Sequence, residues 1–408
     1  MIFVILEFQF PKCQEYSMMG DMLIRAISKK FIELTKTFSV VAVTGPRQSG
    51  KTTLVKELLP DYRYVSLEDL DMRAYAQKDP RGFLEEYDKR VIIDEVQLVP
   101  DLFSYLLGVV DQDQITGQYI LTGSQHFLLH EKISQSLAGR AAFLHLLPLS
   151  LAELRHSKVA LHSVEETLFR GFYPRLYTSK VDVADWYSNY IRTYVERDLR
   201  MIKNIQDLGV FQTFIKLCAS RTGQILDLTS IGNDCGVSHK TISGWIAILE
   251  ASFIIFLLRP HYRNFGKRLI KSPKLYFYDT GLLCHLLNIS SVDQLTTHYL
   301  RGGIFESYVF SEMLKCQYNQ GFTPSLYFWR DQQGKEIDCI VESGSRLIAC
   351  EIKSSKTISS DFFTHLEYWQ KISNTPSQDS YLIYGGEASQ QRSQATVLPW
   401  DSVTDVMQ

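Results

Sequence analysis

The chain has no CxxC pair, and its seven cysteines (Cys13, Cys218, Cys235, Cys284, Cys316, Cys339 and Cys350) are odd in number and widely spaced. That pattern suits neither a disulfide framework nor a zinc ribbon; it indicates a reduced, intracellular setting, expected to be the cytoplasm. Net charge is scarce as well. The 43 Lys plus Arg nearly cancel the 45 Asp plus Glu, leaving −2, which excludes a polybasic binder along the whole length but not a local basic patch. No apolar run, 253–258 included, approaches the ~20 residues of a membrane helix, so no membrane partner is expected. Repeats and low-complexity tracts are missing too, which excludes a solenoid. The opening MIFVILEFQF has no basic segment before it, is interrupted by Glu7 and is followed by no small-residue cleavage site, all against a signal peptide. Met18, Met19 and Met22 stand just ahead of a helical pattern, so residues 1–18 read as a peripheral extension or a misassigned start.

What is present fits a folded chain: 408 residues, 45% hydrophobic and 22% charged, enough for two or three domains at about 150 residues each. Apolar residues at helical spacing occupy 22–35. Short buried strands are expected at 38–43, 62–67, 90–93 and 118–121, with helices at 51–59, 79–87 and 102–110 between them. Strands alternating with helices predict an α/β fold, a parallel sheet covered on both faces.

The segment Gly45-Pro46-Arg47-Gln48-Ser49-Gly50-Lys51-Thr52 fits G-x-x-x-x-G-K-[ST] at every fixed position, between a predicted strand and a predicted helix. Residues 45–53, Thr53 included, are therefore expected to wrap nucleotide phosphates with backbone N–H groups at a helix N-terminus. Lys51 should reach the β- and γ-phosphates, and the Thr52 hydroxyl should ligate Mg²⁺. About forty residues on, an apolar strand closes on Asp94 and Glu95. Asp94 is placed to hold Mg²⁺ and Glu95 to activate the attacking water. A third strand ends in Thr122-Gly123-Ser124-Gln125, where Ser124 could touch the γ-phosphate or the water, the role called sensor 1 in AAA+ ATPases. Arg140 follows as a candidate for stabilising transition-state charge, in cis or from a neighbouring subunit of a homo-oligomer.

In order and spacing, TGPRQSGKTTL, VIIDEVQ, LTGSQ, SLAGRA and LPLSLAEL resemble the prokaryotic AAA-type ATPases that carry a C-terminal DUF4143 domain. The resemblance continues through Gly171-Phe-Tyr-Pro174, Tyr194-Val-Glu-Arg-Asp198 and the stretch 266–283. It implies ATP binding and hydrolysis. One departure is Arg170, where the family often has a further Gly.

Residues 228–250 have helix-turn-helix logic, with Gly236 at the turn, Ser238 as cap, and Ile242, Trp245, Ile246 and Leu249 on the core face. Lys240 and Thr241 lie where a recognition helix meets a groove, and 253–258 with 274–278 would form a wing. Between 259 and 274 stand Arg259, Arg263, Lys267, Arg268, Lys271 and Lys274 with no acid, a run suited to DNA phosphates. Further on, Glu336-Ile-Asp338 and Glu351-Ile-Lys353 resemble the PD-(D/E)xK nuclease core. Asp338 and Glu351 would hold Mg²⁺ with Glu306 from the preceding helix, and Lys353 would position water; Arg330 could add a phosphate contact.

The expected organisation is an extension at 1–18, an ATPase domain at 19–155 and a helical connector at 156–205. A winged helix-turn-helix at 206–285 and a nuclease-like domain at 286–408 follow. The function expected is Mg²⁺-dependent ATP hydrolysis coupled to a DNA-binding C-terminal region. The alternatives are a nucleotide-switched DNA-binding regulator with negligible turnover and an ATP-gated nuclease.

Overall fold

The computed structural model describes residues 23–124, 137–160, 163–195, 207–263 and 270–407. The expected extension at 1–18, Gln125, and the basic residues Lys267 and Arg268 lie outside them. Five strands, β1 (Val40–Thr44), β2 (Arg63–Ser66), β3 (Val91–Asp94), β4 (Tyr119–Gly123) and β5 (Ala141–His145), form one sheet in the order β2-β3-β4-β1-β5. All its pairings are parallel. Helices α1 (Ser28–Thr35), α2 (Lys51–Leu58), α3 (Leu70–Lys78), α4 (Pro80–Glu86) and α5 (Leu102–Asp113) cover it. Successive residues of β1 serve opposite cores: Val40 and Ala42 pack with Phe83 and Phe103, whereas Val41 and Val43 pack with Phe31 and Leu54. A strand buried on both faces has no polar alternation to display, which is why β1, β3 and β4 read as apolar runs; β2, expected to be buried, is instead an edge strand with Arg63 and Tyr64 exposed.

Beyond β5 the chain forms α6 (Leu151–His156), α7 (Val164–Arg170), α8 (Arg175–Thr178), α9 (Val183–Tyr190), α10 (Leu208–Ser220), α11 (Leu228–Cys235) and α12 (His239–Ala251). Gly236 takes the left-handed conformation that ends α11, and the Ser238 side chain accepts the Thr241 N–H to cap α12. Ile242, Trp245, Ile246 and Leu249 are buried. After β6 (Ile255–Pro260) and β7 (Lys274–Phe277) come α13 (Thr280–Leu286), α14 (Val292–Thr297) and α15 (Arg301–Asn319). The strands β8 (Leu326–Arg330), β9 (Glu336–Ser343) and β10 (Arg346–Lys353) lead to α16 (Thr364–Ser373), β11 (Ser380–Tyr384), β12 (Gln390–Gln391) and β13 (Thr396–Pro399).

The hairpin expected to form the wing is tied into the C-terminal sheet. Strand β6 pairs in parallel with β8 at Arg259↔Tyr327 and Pro260↔Phe328, and the sheet runs β12-β13-β11-β10-β9-β8-β6-β7. Hydrogen bonding therefore crosses the boundary expected at 285/286. One core likewise contains Phe172 and Tyr187, Phe211 and Trp245, and Phe328 and Cys339. The buried Asp279 carboxylate fastens two of the family-like segments together. It accepts the N–H groups of Phe172 (2.7 Å) and Leu282 (2.8 Å) and the Tyr187 hydroxyl (2.6 Å). A Cβ at Gly171, whose φ is +73°, would lie 2.0 Å from that hydroxyl oxygen, so only glycine fits there. No helix among the described residues is long and apolar enough to cross a membrane.

Candidate functional site

The loop 45–50 leaves β1 at its C-terminal edge and enters α2 through Gly50, whose φ of +93° a side chain would resist. The Lys51 ammonium turns back onto the loop and donates to the carbonyl oxygens of Gly45 (3.0 Å) and Pro46 (2.8 Å). Arg47 pairs with Glu68 at 3.3 Å. Thr53 faces solvent while Thr52 points across the sheet.

Strand β4 lies between β1 and β3, so residues at its end stand between the phosphate loop and the acid pair. Asp94, 7% exposed, accepts the Thr52 hydroxyl at 3.0 Å, the Tyr64 hydroxyl at 2.8 Å and the Thr122 hydroxyl. Burial and the bond to Asp94 push the Tyr64 phenol well above its ordinary range, which keeps it a donor. Glu95 takes a left-handed backbone (φ +54°) just beyond the strand, a conformation uncommon for a non-glycine residue and concentrated at functional sites. Its carboxylate accepts the Ser124 hydroxyl at 3.0 Å and the Gln97 side-chain amide. Ser124 thus orients Glu95. Thr52 and Asp94 together offer hard oxygen donors of the kind Mg²⁺ takes. Tyr64 and Gln97 carried no motif signal; both come to the site through strand register and a short 3₁₀ turn, Val96–Leu98.

Arg140 does not belong to this site in its own chain. The Val40 N–H donates to the Arg140 carbonyl, and β5 runs parallel to β1 with Val40 opposite Ala141 and Thr44 opposite His145. Arg140 therefore lies at the N-terminal edge of the sheet, about 15 Å from the phosphate loop at ~3.3 Å per residue. Its guanidinium pairs with Asp111 at 2.7 and 3.1 Å. Of the two roles expected for Arg140, the one in cis fails, because strand direction places it at the far end of the sheet.

A second set of charged groups gathers on the C-terminal sheet. Strands β9 and β10 are antiparallel with Cys339 opposite Cys350, which sets Asp338 beside Glu351. The Lys353 ammonium lies 2.6 Å from Glu351 and 3.5 Å from Asp338. Glu306 from α15 accepts the Tyr276 hydroxyl at 2.7 Å and faces Asp338 and Lys274. All four residues expected here are brought together, and β7 adds two more, Lys274 and Tyr276. Lys274 was counted among the basic residues suited to DNA phosphates; it is instead 5% exposed and paired with Glu336. Arg330 also pairs with Glu336, at 3.3 Å, and His365 stands 3.6 Å from Glu351. Among the described residues no three His, Cys, Asp or Glu side chains group to hold a metal ion. Lys353 fills the position between the two carboxylates that a cation would take.

Burial and the neighbouring Asp338 push the Glu306 carboxyl up to about 7, against the opposing pull of Lys274 and Tyr276. Since the folded value exceeds the ordinary 4.5, the folded chain retains a proton that the unfolded chain releases. The stability so contributed is present at acid pH and is lost as pH rises through 7. In metal-free buffer the melting temperature of the wild type should fall between pH 5 and pH 8, and Glu306→Gln should flatten that fall. Equal slopes for the two proteins would contradict the assignment.

Of the candidate DNA contacts within the described residues, Lys240 is exposed at the start of α12 and Thr241 is half-buried beside it. Arg263 and Lys271 are exposed at the two ends of the β6–β7 connection. Both described ends meet the end of β8: the Trp329 indole donates to the Arg263 carbonyl and the Ile270 N–H to the Arg330 carbonyl.

Residues 37–155 match the family model of an AAA domain, and residues 161–293 and 301–403 match the domains of unknown function DUF8612 and DUF4143. An uncharacterized protein of Mycobacterium tuberculosis is 31% identical over 324 residues, covering 78% of this chain and 71% of that protein. An uncharacterized protein of Haemophilus influenzae is 21% identical over 360 residues, covering 79% and 84%. Among solved structures, a Walker-type ATPase of Pyrococcus abyssi aligns with a TM-score of 0.42 at 13% identity, covering 65% of this chain and 96% of that one. By its matched domains and its mycobacterial relative, the chain belongs to the AAA-type P-loop ATPases that carry a C-terminal DUF4143 domain.

Proposed function

We propose that the protein binds ATP at residues 45–53 and hydrolyses it, coupling turnover to a DNA-binding C-terminal region. The observation that carries this is the disposition of the two acids. Asp94 is hydrogen-bonded to Thr52 at the start of α2, while the adjacent Glu95 is held by Ser124 and Gln97. One acid is thereby committed to the phosphate loop and the other to the space beside it, the division of labour phosphoryl transfer to water needs. Mg²⁺ held at Thr52 and Asp94 would offset the charge of the phosphate oxygens. Lys51 exchanges its carbonyl partners for β- and γ-phosphate oxygens. Glu95 orients the attacking water and takes its proton.

For the C-terminal region the helix pair α11–α12, the exposed Lys240, Arg263 and Lys271, and the Asp338–Glu351–Lys353 group support action on DNA. A nuclease would have to exchange Lys353 for a metal ion between the two carboxylates. The test is steady-state ATP hydrolysis by wild type and Lys51→Ala, with and without duplex and single-stranded DNA, alongside nicking of supercoiled plasmid in Mn²⁺. The expected result is turnover by wild type alone, raised by DNA in a salt-sensitive way. Equal rates in both proteins overturn the ATPase; indifference to DNA overturns the coupling; intact plasmid overturns the nuclease.

A further inference from the structure

We propose that Arg25 is a positioning residue for the phosphate loop, an inference that rests on the nucleotide reading of that loop. Arg25 precedes α1 and is 9% exposed. All three guanidinium nitrogens are engaged: Nη1 donates to the Ser49 carbonyl (2.7 Å), Nη2 to the Leu147 carbonyl (2.6 Å), and Nε to Glu153 (3.1 Å). A cation this buried is tolerated only when it is paired and hydrogen-bonded. Its partner Glu153, 2% exposed, is itself fixed by the N–H groups of Ala26 and Ser150, each at 2.7 Å.

The grip on Ser49 decides what the loop offers a phosphate. The described chain has no cis peptide, so the N–H of Gly50 points opposite to the Ser49 carbonyl. With that carbonyl held by Arg25, the Gly50 N–H must face the other way, at the entrance to α2. The first N–H groups of a helix have no partner within it and are the donors that bind anions. Arg25 therefore acts through the backbone, from behind the loop. The same anchor reaches the C-terminal body, because Glu312 on α15 accepts the Leu151 N–H at 2.8 Å where α6 begins.

The experiment measures the affinity of fluorescent ATP and ADP analogues with Mg²⁺ for wild type, Arg25→Gln and Arg25→Lys, with melting curves of each apo-protein. Arg25→Gln should weaken both nucleotides about tenfold, the effect of one charge-assisted hydrogen bond, with a smaller change in kcat than in KM. Arg25→Lys keeps the charge and can reach one carbonyl, so it should recover part of the loss and still bind at least about threefold more weakly than wild type. Should Arg25→Gln melt early, Arg25→Lys decides. Wild-type binding with unchanged affinity in a variant that melts like wild type overturns the proposal alone. A wild type that binds neither nucleotide overturns the nucleotide reading and the proposal with it.

Discussion

Replacing Glu95 by Gln is expected to lower ATP turnover by about two to three powers of ten while MgATP affinity stays within about twofold. The substitution keeps the shape of the side chain and leaves an oxygen for the Ser124 hydroxyl, now 3.0 Å from the carboxylate. The lost element is the acceptor for the proton of the attacking water. Binding is spared because the Thr52–Asp94 pair and the Lys51 ammonium are untouched. Lys51→Ala, by contrast, should lose affinity and turnover together. A coupled phosphate assay and equilibrium titration separate the two patterns. If Glu95→Gln turned over at the wild-type rate, the water-activating role would pass to another residue.

Lys315→Met should strongly destabilise the C-terminal body. Lys315 and Glu312 form an ion pair with side chains 1% and 2% exposed, and Lys315 also lies 3.9 Å above the Phe172 ring. Removing one partner leaves the other charge buried, at a cost of about 3–5 kcal/mol, whereas replacing both by uncharged groups is often close to neutral. The double variant Glu312→Gln/Lys315→Met should therefore recover most of the loss. The Gln carbonyl can still accept the Leu151 N–H. Denaturant unfolding followed by a signal from the C-terminal body measures both; a double variant as unstable as the single one would show that the uncompensated Glu312 charge does not set the cost.

How much of this was legible in the sequence followed from how local each feature is. The phosphate loop and the acids at 94 and 95 are contiguous motifs, and the strands that carry them are buried on both faces, so both signals survive in one dimension. Tyr64 reaches Asp94 only because Ser66 lies opposite Asp94 in the sheet, a register no spacing announces. Arg25 was invisible for the same reason, since its partners are 24, 122 and 128 residues away. The cis role expected for Arg140 fails because a motif does not say which end of a strand a residue occupies. Lys274 belongs to the basic run expected to suit DNA phosphates, yet β7, on which it stands, is buried along its whole length. The carboxylates at 338 and 351 were found because the strands bearing them are neighbours joined by a tight turn.

The geometry around Asp94 and Glu95 is expected to hydrolyse ATP rather than merely hold it. The most direct measurement is a single-turnover experiment, with wild-type protein in excess over labelled ATP in Mg²⁺ and the nucleotide recovered over time. Complete conversion of bound ATP to ADP and phosphate, absent in Glu95→Gln, is the predicted result. Recovery of bound ATP intact from the wild type would contradict it and leave the protein a nucleotide-controlled switch.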